Sequence, residues 1–137
     1  MTKKLIKTKK RVKEQGEVFT PDWLIKNSFD KIPTNLFKDS SITFIDPACG
    51  NGNFLVEVVK IKILLGSSKW EALSTTFGID IMEDNVIECR QRLLQVVDVK
   101  QKRFEELVKT TIVCGNSLKQ STDELFKDYV DKYKKDA

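Results

Sequence analysis

The chain has 137 residues, of which 40% are hydrophobic and 32% charged, with a net charge of +4 and no histidine. That length suits one domain with a modest core, and no apolar run approaches the roughly 20 residues that span a bilayer. Cys49, Cys89 and Cys114 lack the spacing of a zinc site, and no targeting peptide is evident, so they read as reduced thiols of a cytoplasmic protein with no metal.

Residues 1–16 form a basic arm, with seven lysines or arginines and no acid up to Lys13, which leaves the rest of the chain at −3. Such an arm suits contact with nucleic-acid phosphates, or it is a solvated terminus. Residues 17–137 read as the folded part. Thr20, Pro21 and Asp22 mark a helix start that Pro33 ends, and residues 35–41 read as a polar connection around Leu36 and Phe37. SITFID is a first strand, and FLVEVVKIKILL over 54–65 a buried helix closed by Gly66. After a short turn or helix over 67–73, STTFGIDI is a second strand and 82–97 a helix. Residues 100–108 give another helix, TTIVCGN a third strand, and 123–133 a polar terminal helix. Strands alternating with helices predict an α/β fold with a parallel sheet and ligands gathered at the strands' carboxyl ends.

The strand-to-helix junction TFIDPACGNGNFL, residues 43–55, is the stretch that carries chemistry. Gly50 and Gly52 let the chain turn and let a ligand approach bare backbone. A phosphate-binding loop needs a lysine and a hydroxyl after its last glycine, and Asn53 and Phe54 stand there instead. A dinucleotide fold prefers a small residue where Leu55 falls. S-adenosylmethionine, with its sulfonium, ammonium and adenosine, is the third candidate. Asp46 at the first strand's tip suits the cationic groups, and Asp80 at the second suits ribose hydroxyls, although NAD would use the same acid. Taken singly, each acid is better explained as a helix cap, but two acids at the ends of adjacent strands beside a glycine turn point toward a site.

DPACGNGNFL at residues 46–55 resembles the cofactor motif of the adenine-specific DNA methyltransferases of restriction-modification systems. Three further segments agree in order and spacing: GEVFTP at 16–21, FGIDI at 77–81 and CGNSL at 114–118. The resemblance implies a partial Rossmann-like S-adenosylmethionine-dependent methyltransferase fold, with three parallel strands, covering helices and the rest of the sheet missing. It implies Phe19 and Thr20 on the methionine side and Asp46 at the ammonium. Ala48, Cys49, Gly50 and Gly52 would form the turn and Phe54 the pocket wall. Asp80 and Ile81 would hold ribose and adenine, and Asn116 would meet the adenine edge where the family usually has Asp. Ordinary core packing explains Cys49, Phe54 and Ile81 about as well.

The family's catalytic segment reads Asn or Asp, then Pro-Pro, then an aromatic. The prolines here are Pro21, Pro33 and Pro47, none adjacent, so no catalytic residue is expected in this chain. The expected function is the cofactor-binding part of an adenine-specific DNA methyltransferase, inactive alone. The alternative is a stand-alone or degenerate S-adenosylmethionine- or partner-binding module. In the family the first strand is interior. Here it is expected at an open edge, to be covered by a second polypeptide, another copy or the terminal segment.

Overall fold

The computed structural model describes residues 31–134. The basic arm, the helix expected after Thr20, and the site candidates Phe19 and Thr20 lie outside the described residues.

The first element is a short helix, α1 (Thr34–Lys38), where the sequence suggests only a connection. Two apolar residues in five give no readable period, but Phe37 is buried and stacks on Phe44 with ring centroids 5.0 Å apart. Strand β1 (Phe44–Asp46) is three residues long, because Pro47 has no N–H to continue a ladder and starts the turn. Helix α2 (Asn53–Leu64) follows, burying Leu55, Val56, Val58 and Val59, and Gly66 closes it at φ 113° with its N–H on Ile63 O.

Helix α3 (Lys69–Ser74) opens with a capping box in which Ser68 and Glu71 satisfy each other's backbone N–H. Strand β2 (Thr76–Asp80) is buried along its whole length. Helix α4 (Glu83–Val97) turns Val86, Cys89, Leu93 and Val97 inward, and helix α5 (Lys102–Thr111) buries Phe104, Leu107 and Val108. Strand β3 (Ile112–Cys114) begins later than its sequence suggests, because Thr110 and Thr111 finish α5.

The terminal helix expected over 123–133 is broken into α6 (Thr122–Leu125), α7 (Lys127–Tyr129) and a π-helical turn over Val130–Lys134. Nor is it wholly polar. Phe126 sits at the break, and its ring and that of Tyr129 pack edge-on against Phe77, at 5.0 and 4.8 Å between centroids. Aromatic packing onto the sheet thus outweighs continuity of the helix.

The three strands form one parallel sheet in the order β1-β2-β3. Ile45 lies opposite Phe77, and Ile79 opposite Val113, so these four share one face. Asp46, Gly78 and Ile112 share the other, onto which α2 and α4 pack. Gly78 permits that approach: a Cβ there would stand 2.6 Å from Leu55 Cδ1 and 3.0 Å from Cys49 Sγ. The terminal segment covers Phe77 rather than the outer edge of β1. Ile45 stays 46% exposed, and among the described residues no strand pairs with the outer side of β1.

One charge is buried at the amino ends of the strands. Lys62 has no exposed surface, and its Nζ donates to Ile42 O (3.2 Å), Thr75 O (3.1 Å), Thr75 Oγ1 (2.6 Å) and Thr76 Oγ1 (3.4 Å). It also lies 4.8 Å from the Phe44 ring centroid. Burial pushes its pKa down to about 8. Lys62 thereby ties edge strand β1 to β2 and α2.

Candidate functional site

Parallel pairing brings the two acids to neighbouring strand tips. Asp46 lies opposite Gly78, and Asp80 is two residues further along β2 on the same face. Between them runs the turn 47–52. Ala48 N–H donates to Asp46 Oδ1 (3.1 Å), Cys49 N–H to Ile79 O (2.8 Å) and Gly50 N–H to Asp80 Oδ1 (3.1 Å). The turn is therefore pinned to the tips of both strands. Gly50 and Gly52 take φ 56° and 94°, and a Cβ on Gly52 would lie 2.7 Å from Cys89 Sγ. Both features require glycine at position 52.

Asp80 is the knot of the site. Besides Gly50, its Oδ2 accepts from Met82 N–H and from Asn85 Nδ2, both at 3.0 Å. Its backbone carbonyl accepts from Gly115 N–H at 3.0 Å, which holds the loop after β3. Asp46 is half-buried, and burial raises its carboxyl above the usual range, with a smaller push from the Asp80 charge. Its second oxygen accepts no hydrogen bond among the described residues.

The remaining candidates occupy mixed positions. Ile81 follows Asp80 and is 47% exposed, so it is free to meet a ligand. Phe54 is partly buried against the core. Cys49 is buried in hydrogen-bond contact with the Cys89 thiol, which together with burial pushes its own thiol pKa up and keeps it neutral. That pairing of two cysteines 40 positions apart is not readable from their spacing. Asn116 sits in the loop after β3, where its Oδ1 accepts from Leu118 N–H (3.0 Å) and its N–H donates to Gln120 Oε1 (2.8 Å). Ser117 Oγ donates to Pro47 O at 3.0 Å and ties this loop to the turn.

Sequence reasoning misses the residues of α4 that brace the turn. Asn85, Glu88 and Arg92 recur at helical spacing. Glu88 accepts from Asn51 Nδ2 (3.2 Å), and Arg92 donates to Asn51 O (3.1 Å) and Asn53 Oδ1 (2.6 Å). The available signal is an asparagine next to the apolar stripe of Val86, Cys89 and Leu93, which a purely structural helix fills with an apolar residue. Asn51 is itself buried, and its Oδ1 has no partner among the described residues. No group of three or more potential metal ligands occurs among the described residues, and no described helix is long and apolar enough to cross a membrane. A surface cleft of about 340 Å³ between Leu94, Asp98, Val99 and Glu105 shares no residue with the site.

A parallel α/β sheet with a glycine turn and two carboxylates at adjacent strand tips is an arrangement that suits a nucleoside cofactor. The chain belongs to the N-6 DNA methylase family, which matches residues 5–132. That family uses S-adenosylmethionine and acts on DNA. The chain is similar to the type II methyltransferase M.VspI of Vibrio sp. (strain 343), 28% identical over 113 residues. The match takes in 82% of this chain and 24% of M.VspI, so the chain spans about a quarter of that relative. No solved structure matches it.

The residues present fit the family's cofactor. A sulfonium nucleoside needs a carboxylate near cationic groups, an acceptor for ribose and a turn without bulky side chains. Among the described residues Asp46 retains an unused oxygen and Asp80 an unused acceptor position, and Gly50 and Gly52 keep the turn bare.

Proposed function

We propose that this chain is the S-adenosylmethionine-binding part of an adenine-specific DNA methyltransferase and transfers no methyl group by itself. The observation that carries this reading is Asp46 and Asp80 at adjacent strand tips around the Gly50–Gly52 turn, in a chain of the N-6 DNA methylase family. When bound, the cofactor supplies an electrophilic methyl for the amino nitrogen of a target adenine. In this reading Asp46 holds the cationic methionine end, Asp80 the ribose, and Ile81 packs on the adenine. Asn116 offers its side-chain amide to the adenine edge while its Oδ1 also accepts from Leu118 N–H. Phe19 and Thr20 close over the methionine end, and Phe54 backs the pocket. The chain contains no adjacent prolines and hence no Asn-Pro-Pro-aromatic segment to hold a flipped adenine.

Methyl transfer in this reading needs a further methyltransferase segment that carries the catalytic residues. The outer side of β1, unpaired among the described residues, and the half-exposed Ile45 favour completion by a strand from such a segment, rather than a stand-alone binding module. The basic residues before Lys13 then add phosphate contacts to the assembled enzyme. Titration calorimetry with S-adenosylmethionine and NAD tests the cofactor: binding of the first and not the second is expected. A labelled-methyl assay on adenine-containing DNA tests the rest. Transfer by this polypeptide alone refutes the division of labour, and absence of any cofactor binding refutes the reading as a whole.

A further inference from the structure

The carboxylate of Asp80 is nearly saturated by the protein itself. A carboxylate offers about four acceptor positions, two on each oxygen. Met82 N–H and Asn85 Nδ2 fill both positions of Oδ2, and Gly50 N–H fills one of Oδ1. One position remains, on the oxygen that faces the glycine turn. Asn85 has no exposed surface, so the donor it supplies comes from the protein interior and no ligand replaces it from the solvent side.

We infer that Asn85 is a positioning residue that, with the Met82 N–H, locks Asp80 so that its carboxylate reads one ribose hydroxyl of the cofactor and not both. This rests on the adenosyl-cofactor reading above and adds to it which part of the sugar the site discriminates. The amide does two things. It fixes the rotation of the carboxylate, and it holds Oδ2 away from the ligand. Without Asn85 the carboxylate is held only by the Gly50 and Met82 N–H groups, so its rotation is less tightly fixed and its remaining acceptor no longer points along one direction.

The test uses the full chain and S-adenosylhomocysteine, which is chemically stable and carries the same ribose, together with its 2′-deoxy and 3′-deoxy analogues. In the unaltered chain, one analogue is expected to bind about tenfold more weakly, and the other within about threefold of the parent, since one hydrogen bond to a charged acceptor is at stake. Equal losses of about tenfold for both analogues, or no loss for either, overturn the inference. In N85A the parent is expected to weaken about fivefold, while the analogue lacking the contacted hydroxyl binds as it does to the unaltered chain. A purely structural role for Asn85 weakens all three ligands alike and so overturns the inference. Asn85→Leu, which keeps the shape and removes the donor without adding a charge, is expected to repeat the N85A pattern if N85A does not fold. Failure of the unaltered chain to bind S-adenosylhomocysteine at all removes the cofactor reading, and this inference with it.

Discussion

Lys62→Met isolates the cost of burying a charge. Lys62 titrates at about 8 in the fold, against 10.5 for an ordinary lysine. Between those values the unfolded chain holds a proton that the folded chain does not, and stability rises with pH wherever the unfolded state binds more protons. The depressed pKa therefore acts against folding below pH 8, and that penalty is relieved as pH climbs to 10.5. A gap of 2.5 units corresponds to about 3 kcal/mol at about 1.4 kcal/mol per unit. Methionine keeps the length of the side chain without the charge. It forfeits hydrogen bonds to Ile42 O and Thr75 O, while the Thr75 and Thr76 hydroxyls keep their own acceptors, Glu71 O and Ala72 O. At pH 7 the lost hydrogen bonds and the removed penalty nearly offset, and K62M should lie within about 1 kcal/mol of the parent. At pH 10.5 the parent should be more stable than K62M by about 3 kcal/mol, because the two N–H donors of neutral Lys62 still serve Ile42 O and Thr75 O at no charge cost. Urea melts of both proteins at half-unit steps from pH 7 to 10.5 measure this. Subtraction cancels the ionisation of cysteines and tyrosines common to both. A difference that stays constant within about 0.5 kcal/mol refutes the argument that desolvation governs Lys62.

Gly52→Ala should cost about 2 kcal/mol or more, from a left-handed backbone and from the collision with Cys89 Sγ. Adding Cys89→Ala should recover the collision part but not the backbone part, as read from the midpoints of chemical unfolding. For Asp46, the raised pKa means that the fold binds this proton more tightly than the unfolded chain does. The fold should gain stability from this group as pH falls, while affinity for a cationic cofactor drops over the same range. Asp46→Asn should accordingly be slightly more stable at neutral pH yet bind S-adenosylmethionine at least about fivefold more weakly; unchanged affinity in calorimetry would remove Asp46 from the site. Hydrogen exchange should find β2 the best-protected strand and β1 the least, and equal protection would show that something covers the open edge.

The elements that were legible are those whose sequence carries a period or a punctuation mark. The apolar run of α2 ends at Gly66, the stripe of α4 ends at Val97, and β2, buried along its whole length, lies between the other two strands. What escaped the sequence depends on contacts between distant positions. Phe37 makes α1 a real element only because Phe44 is there to stack on it. The terminal segment breaks because Phe126 and Tyr129 both turn onto Phe77. Lys62 reads as one more solvated lysine until the amino ends of β1 and β2 close around it. In the site, the two acids and the glycines are visible because strand ends and turns have local signatures. Asn85, Glu88 and Arg92 are not, since the meaning of Glu88 and Arg92 comes from the turn they brace some 40 residues earlier and that of Asn85 from the Asp80 carboxylate it holds.

Asp80 invites replacement by alanine as a test of ribose binding, but its carboxylate also anchors Gly50, the start of α4 and Asn85. Asp80→Ala strands three donors at once. Unfolding and loss of ligand would then arrive together, and a negative binding result would carry no information about the ribose. Asp80→Asn is no cleaner, because one side of the amide must present N–H either to Gly50 N–H or to the pair on Oδ2. The ligand is the better place to cut: removing one hydroxyl at a time leaves every protein hydrogen bond intact. A site whose recognition group also holds its scaffold is preorganised for that reason, since the geometry a ligand needs is fixed by folding before the ligand arrives.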